Sequence, residues 1–178
     1  MDRTELQALQ APLKERYRDD PGTALITLRA EGTLGQEAIA CKVETGRGLV
    51  DAGLHPATGG NGALACSGDM LLDALVACAG VTLMAVATAL ELEVGGTVRA
   101  EGDLDFRGTL GVAKDVPVGF QRIRLHYELE HEADEKKLAT LLDLTEHYCV
   151  VFQTLTGGVP VEVTHSSSPN AGVVTRRS

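Results

Sequence analysis

Apolar positions along the chain follow three rhythms. From Leu71 to Leu90 (LLDALVACAGVTLMAVATAL) they run almost without interruption. Between Phe120 and His131 they alternate: Ile123, Leu125, Tyr127 and Leu129 against Arg124, His126, Glu128 and Glu130, which predicts a strand with one buried and one wet face. From Ala133 to Thr156 they return every three or four residues, at Leu138, Leu141, Leu142, Tyr148, Cys149, Phe152 and Leu155. That spacing predicts one amphipathic helix, begun by Asp134 and Glu135 and ended by Gly157-Gly158.

The uninterrupted stretch predicts a long helix. Ser67 is placed to cap it, Asp69 lies in its first turn where negative charge suits the dipole, and Gly95-Gly96 stops the chain after Val94. From Ala74 to Leu90 no residue is charged, a length just short of the ~20 residues that span a bilayer. Asp73 and Glu91 bound it closely, and its Ala, Gly and Thr content suits a helix packed from several sides by protein. A domain this small rarely surrounds a helix, so the pattern points to a homodimer and away from a membrane.

The remaining segments are shorter. Residues 1–20 place Leu6, Leu9 and Leu13 at helical spacing, an amphipathic helix ended by Asp19-Asp20-Pro21-Gly22. Thr23–Ala30 and Gln36–Thr45 read as a hairpin turning at Gly32-Thr33-Leu34-Gly35. Residues 46–68 are rich in glycine and read as a loop, with at most a brief strand at Leu49 and Val50; a long connection of this kind is more often functional than idle. Thr97–Phe106 is a further strand, and Val159, Val161 and Val163 mark a closing one. The tail, 166–178, is expected to be disordered. Strands, a buried helix, strands, a helix and a strand make an α+β domain over residues 23–165.

Composition narrows the function. The chain has 178 residues, 44% hydrophobic but only 3% aromatic and without tryptophan, so Ala, Val and Leu build the core. A net charge of −9 with scattered basic residues argues against nucleic acid. The N-terminus shows no secretory pattern, which predicts a cytoplasmic protein whose thiols stay reduced. The four cysteines are then not a static disulfide framework.

Cys78 and Cys149 each lie on an apolar helical stretch. If the two helices pack together the thiols can meet; equally, a buried cysteine can be a small hydrophobe. Neither has the spacing of a zinc site, and no cofactor is expected. His147 falls on another side of its helix and reads as a surface residue. Cys66, just before the long helix, is a loop cysteine or a thiol able to reach Cys78, and Cys41 reads as structural.

CSGDMLLDALVACAGVTLMAVA and EHYCVVFQTL resemble the two cysteine helices of the OsmC/Ohr family, the osmotically induced and organic hydroperoxide resistance proteins. LVDAG, GGNG and the VPVEV strand add to the likeness, which covers roughly residues 23–165. The chain departs from the family pattern at Ser67, at Asp69, nine residues before Cys78 where the family has glutamate, and at Val150, where proline usually follows the second cysteine. The resemblance implies an OsmC-like fold, with antiparallel sheets around two long central helices in an intertwined homodimer. It further implies a thiol-dependent peroxidase in which Cys78 attacks a hydroperoxide, Cys149 resolves the product as a disulfide, and an external dithiol reopens it. An arginine and a carboxylate would complete the site; Arg47 and Asp69 are the candidates, with Arg29 a rival for the arginine. Two other readings remain: a ligand-binding member without peroxidase activity, and a thiol-disulfide redox or sensor protein.

Overall fold

The structure, a computed structural model, describes residues 2–20, 31–34, 40–45, 48–111, 113–165 and 174–177. The strand expected at residues 23–30 lies outside them. Helix α1 (Arg3–Asp19) opens with a reciprocal cap: Glu5 N–H donates to Asp2 Oδ1 (2.8 Å) and Asp2 N–H to Glu5 Oε2 (2.9 Å). Arg3 reaches Glu91, 2.9 Å away just past the end of the long helix, and both are exposed, so the pair orients α1 more than it stabilises it.

Strands β1 (Glu31–Leu34), β2 (Ala40–Thr45), β3 (Gly48–Gly53) and β4 (Ala65–Cys66) form one sheet in that order. The expected turn at Gly32–Leu34 is strand instead, with Leu34 opposite Cys41. The stretch read as loop from residue 46 also contributes more than a brief strand. All of β3 pairs antiparallel with β2, and β4 returns parallel to it.

Helix α2 (Ser67–Ala89) runs unbroken for 23 residues. Its N-cap is Cys66, which makes no side-chain capping bond; Ser67, expected to cap it, is already the first helical residue. Leu75, Ala79, Leu83 and Ala87, one turn apart, are its buried stripe. Ala74, Ala77, Val81 and Met84 on the opposite side are exposed, Val81 by 72% and Met84 by 51%. The expectation of burial from several sides is therefore met on one side within a single protomer.

The chain turns at Glu91, which takes a positive φ of 56°, and enters β5 (Val94–Asp103). Gly95-Gly96, read as a helix stop, lies within this strand. Gly96 (φ 117°) is needed there because a Cβ would sit 2.0 Å from the Glu128 carbonyl oxygen. A short helix α3 (Phe106–Thr109) replaces the expected end of the strand, capped by Asp105 accepting from Arg107 N–H at 3.0 Å. Strand β6 (Arg122–His131) pairs antiparallel with β5 along its whole length, Val94 opposite His131 and Asp103 opposite Arg122. Tyr127 and Leu129, on its inward face as the alternation predicts, pack against the core formed by Leu83, Ala87 and Leu141. Each of those leucines contributes about 2 kcal/mol by leaving water.

The segment read as one helix is two. Helix α4 (Glu135–Tyr148), capped by Asp134 accepting from Lys137 N–H at 2.9 Å, stops at Cys149, and α5 (Val150–Gly157) starts on its far side. Strand β7 (Glu162–His165) follows, paired antiparallel with β8 (Val174–Arg177), Val163 opposite Arg176. Disorder was expected throughout the tail; the β-branched pair Val174-Thr175 instead finds a strand edge to complete.

Candidate active site

The backbone around Cys149 shapes the candidate site. Cys149 has extended backbone (φ −74°, ψ 106°), which ends α4 and begins α5 at one residue. Its N–H still donates to Thr145 O and its carbonyl already accepts from Gln153 N–H, both at 2.9 Å. Thr145, fully buried one turn earlier, donates its hydroxyl back to Leu141 O at 2.7 Å, an arrangement that bends helices. The break frees carbonyls that an unbroken helix would have satisfied. Gln153 Nε2 donates across it to one of these, Glu146 O, at 2.8 Å.

The same break frees backbone donors at the start of α5. Because α2 packs against both α4 and α5, these donors face Cys78, half-buried in the middle of α2. Burial works against ionisation of Cys78. The Val151 N–H, the Cys149 thiol, the Thr82 hydroxyl one turn along α2 and the Val150 N–H together outweigh it, and the thiol is held below its ordinary value. Cys149 goes the other way: it is 1% exposed, burial pushes its thiol up, and a charge on Cys78 adds to that while the Phe152 N–H opposes it. The pair is thus divided into a thiolate-forming, accessible sulfur and a protonated, buried one, both free of disulfides.

The other candidates are dispersed. Arg47 and Arg29 lie outside the described residues. Asp69 is exposed in the first turn of α2, about 13 Å along the axis from Cys78 and half a turn round it, so within one protomer it does not reach the thiol. Cys66 is about 18 Å from Cys78 along the same axis, beyond the ~7 Å Cα separation a disulfide tolerates. His147 is exposed, edge-on to Tyr148, as expected of a surface residue. Arg124 is engaged by Asp103 and Glu101, and Arg107 by Asp105.

Groups with no chemical role assigned from the sequence stand in the same region. Thr82 and the N–H groups of Val150 and Val151 serve the thiolate. A cavity of about 310 Å³ opens where α2, β6 and α5 meet, lined by Leu75, Ile123, Leu125, Phe152 and Leu155, with Arg122 among its polar walls; neither cysteine lines it. Tyr127 turns inward from β6; its hydroxyl is buried, and the phenol is pushed up to about 12 by burial and then by charge on Cys149, Glu146 and Cys78. Thr82 stands one turn after Cys78, a signal available in the sequence; the backbone donors leave no such trace.

The α+β fold thus brings two thiols, one lowered and one raised, together where α2 packs against α4 and α5. Residues 60–164 match the family model of OsmC-like protein, and the chain belongs to that family. Solved structures share its fold. An OsmC-like protein from Mycoplasma pneumoniae is 18% identical with a TM-score of 0.61, over 74% of this chain and 89% of its own. An organic hydroperoxide resistance protein from Elizabethkingia anophelis, with crystallant-derived thiocyanate bound, is 18% identical at 0.59, over 75% and 90%. One from Legionella pneumophila is 17% identical at 0.53, over 75% and 91%. No curated protein matches the sequence.

Proposed function

We propose that the protein is a thiol-dependent peroxidase for organic hydroperoxides, with Cys78 as the peroxidatic and Cys149 as the resolving cysteine. The opposite displacement of the two thiols carries this reading: the break at Cys149 aims α5 donors at Cys78 and leaves Cys149 protonated beside it. The family and two of its structural neighbours, both organic hydroperoxide resistance proteins, support it. The Cys78 thiolate attacks the O–O bond, the alcohol leaves, and Cys78 becomes a sulfenic acid. Cys149 condenses with it, releasing water, and an external dithiol reduces the disulfide. The apolar walls of the cavity, Leu75 one turn before Cys78 and Phe152 one turn after Cys149, suit the body of an organic peroxide.

A depressed pKa supplies little of the rate by itself. Lowering a thiol from ~8.5 to roughly 6.5 raises its thiolate about 25-fold at pH 7. A nucleophilicity slope of ~0.45 takes back about 8-fold, leaving roughly 3-fold. Most of the acceleration has to come from holding the peroxide and stabilising the departing oxygen. Arg47 or Arg29 would serve there, with Asp69 as its carboxylate only if a second subunit brings it to the site.

The second subunit is part of the proposal. Ala74, Ala77, Val81 and Met84 make an exposed apolar stripe on α2, and at the break between α4 and α5 Tyr148 and Val150 are exposed as well, by 61% and 70%. A copy of the same chain covering this face would bury α2 on both sides. The proposed setting is the cytoplasm, where a dithiol reductant is at hand. A second reading, thiol-disulfide exchange with a partner protein, is favoured by one observation: the groups that chiefly set Cys78 are neutral donors.

The test is intact mass and thiol count of the reduced protein before and after one equivalent of cumene hydroperoxide. A Cys78–Cys149 disulfide is expected, with Cys149→Ser stopping at sulfenic acid and Cys78→Ser inert. Survival of every thiol would refute the peroxidase reading.

A further inference from the structure

The cavity where α2, β6 and α5 meet is apolar over most of its wall, but three polar residues line it too. Gln121 is neutral, and Thr156 spends its hydroxyl on Phe152 O at 2.9 Å, which leaves Arg122 as the one charge on the lining. That guanidinium is unspent. Arg3 pairs with Glu91, Arg99 with Glu128, Arg107 with Asp105, and Arg124 with both Glu101 and Asp103, whereas Arg122 makes no ion pair among the described residues. The strand register gives the reason. Arg122 stands opposite Asp103 across the β5–β6 ladder, but Arg124, diagonal to the same carboxylate, has taken it with a bond of 2.7 Å. Arg122 acts on Asp103 only through space.

We infer that Arg122 is a specificity-determining residue, which gives the cavity a preference for hydroperoxides whose apolar body ends in a carboxylate; this rests on the peroxidase reading above. Leu75, Phe152 and Leu155 form the helix side of the cavity, next to the turns that carry the two cysteines, and Arg122 opens the strand on the other side. A substrate that lays its body along these walls, with its O–O bond toward Cys78, brings its far end to the guanidinium. A carboxylate set against apolar walls without a partner loses hydration and gains nothing in return, whereas a guanidinium offers it a fork of two donors. Arg122 is exposed, so water competes and the gain is that of a solvent-facing pair. Because the charge lies away from the O–O bond, it holds substrate and transition state alike, and it acts on binding and leaves the chemical step alone.

The experiment compares two substrates that differ only in charge: cumene hydroperoxide carrying a para carboxylate, and the methyl ester of the same compound. Loss of the Cys78 thiol is timed at subsaturating peroxide in the reduced wild type, Arg122→Gln and Arg122→Lys. The wild type is expected to react about 5-fold faster with the carboxylate than with the ester, and added salt should shrink that ratio. In Arg122→Gln the ratio should fall to one or below, since the net charge of −9 repels an anion once the guanidinium is gone. Arg122→Lys, which keeps the charge without the fork, should retain part of the preference. Equal wild-type rates with both compounds would overturn the role of Arg122 alone. So would a ratio that survives in Arg122→Gln while both rates fall, the mark of a structural arginine. Wild type that keeps all its thiols with either compound would overturn the peroxidase reading and this inference with it.

Discussion

The two cysteine segments each read as one continuous helix in the sequence and differ in build. Helix α2 passes straight through Cys78, whereas the other breaks at Cys149 into α4 and α5. The unbroken helix has every backbone donor near Cys78 spent on its own ladder, so nothing in α2 but Thr82 can favour a charge there. The broken helix has donors to spare and turns them on its neighbour. A helix interior holds a cysteine; a helix start across from it activates that cysteine.

The largest expected effect separates α4 from α5. Leu141 is fully buried while Leu155 is 36% exposed, so Leu141→Ala should lower unfolding stability by about 3 kcal/mol in denaturant melts and Leu155→Ala by less than half of that. A similar loss at both would show that α5 is anchored as firmly as α4.

Backbone chemistry at the break is tested next. Proline suits the first position of a helix, and Cys149 already has the extended backbone that a following proline requires, so Val150→Pro should fold. It deletes one donor to Cys78. Because that donor lowers the thiol, the pH midpoint for iodoacetamide alkylation of Cys78 should rise in Val150→Pro and stay put in Val150→Ala. Equal midpoints in both variants would remove the Val150 N–H from the account.

The paired thiols make a related pH prediction. A thiol lowered by the fold is alkylated at lower pH than a free one, so the Cys78 midpoint should fall below about 8.5, and that of Cys149 above it. Cys149→Ala removes a donor from Cys78 and should shift the Cys78 midpoint upward. The smallest effect is Gln153→Ala, which strips the bond across the break to Glu146 O; about 1 kcal/mol of stability should go. If Gln153→Ala is neutral, the break is held by Thr145 and the core without this clamp.

How much of this could be read from the chain varied with how local the cause was. The alternation in β6 and the stripe of α4 appear in the structure as the sequence implies, because each follows from a face that must be buried. The ends of elements were less legible. Gly95-Gly96 looked like a stop and is a close strand approach, since only the position of the Glu128 carbonyl tells the two apart. The break at Cys149 left almost no mark: Val150 is compatible with a continuous helix, and the usual proline is missing.

By itself, then, the sequence determined that the chain makes an α+β domain, that two helical stretches with apolar faces each hold a cysteine, and that one of them has more apolar surface than a single protomer covers. Those are consequences of periodicity, which depends on near neighbours in the chain. Only the tertiary structure showed that backbone donors of α5 lower the Cys78 thiol while burial raises that of Cys149, that Asp69 stands apart within a protomer, and that the Tyr127 hydroxyl is buried without a partner among the described residues. Each of these depends on where one element ends against another, and electrostatics inside a fold falls to whatever groups that packing brings within a few ångströms.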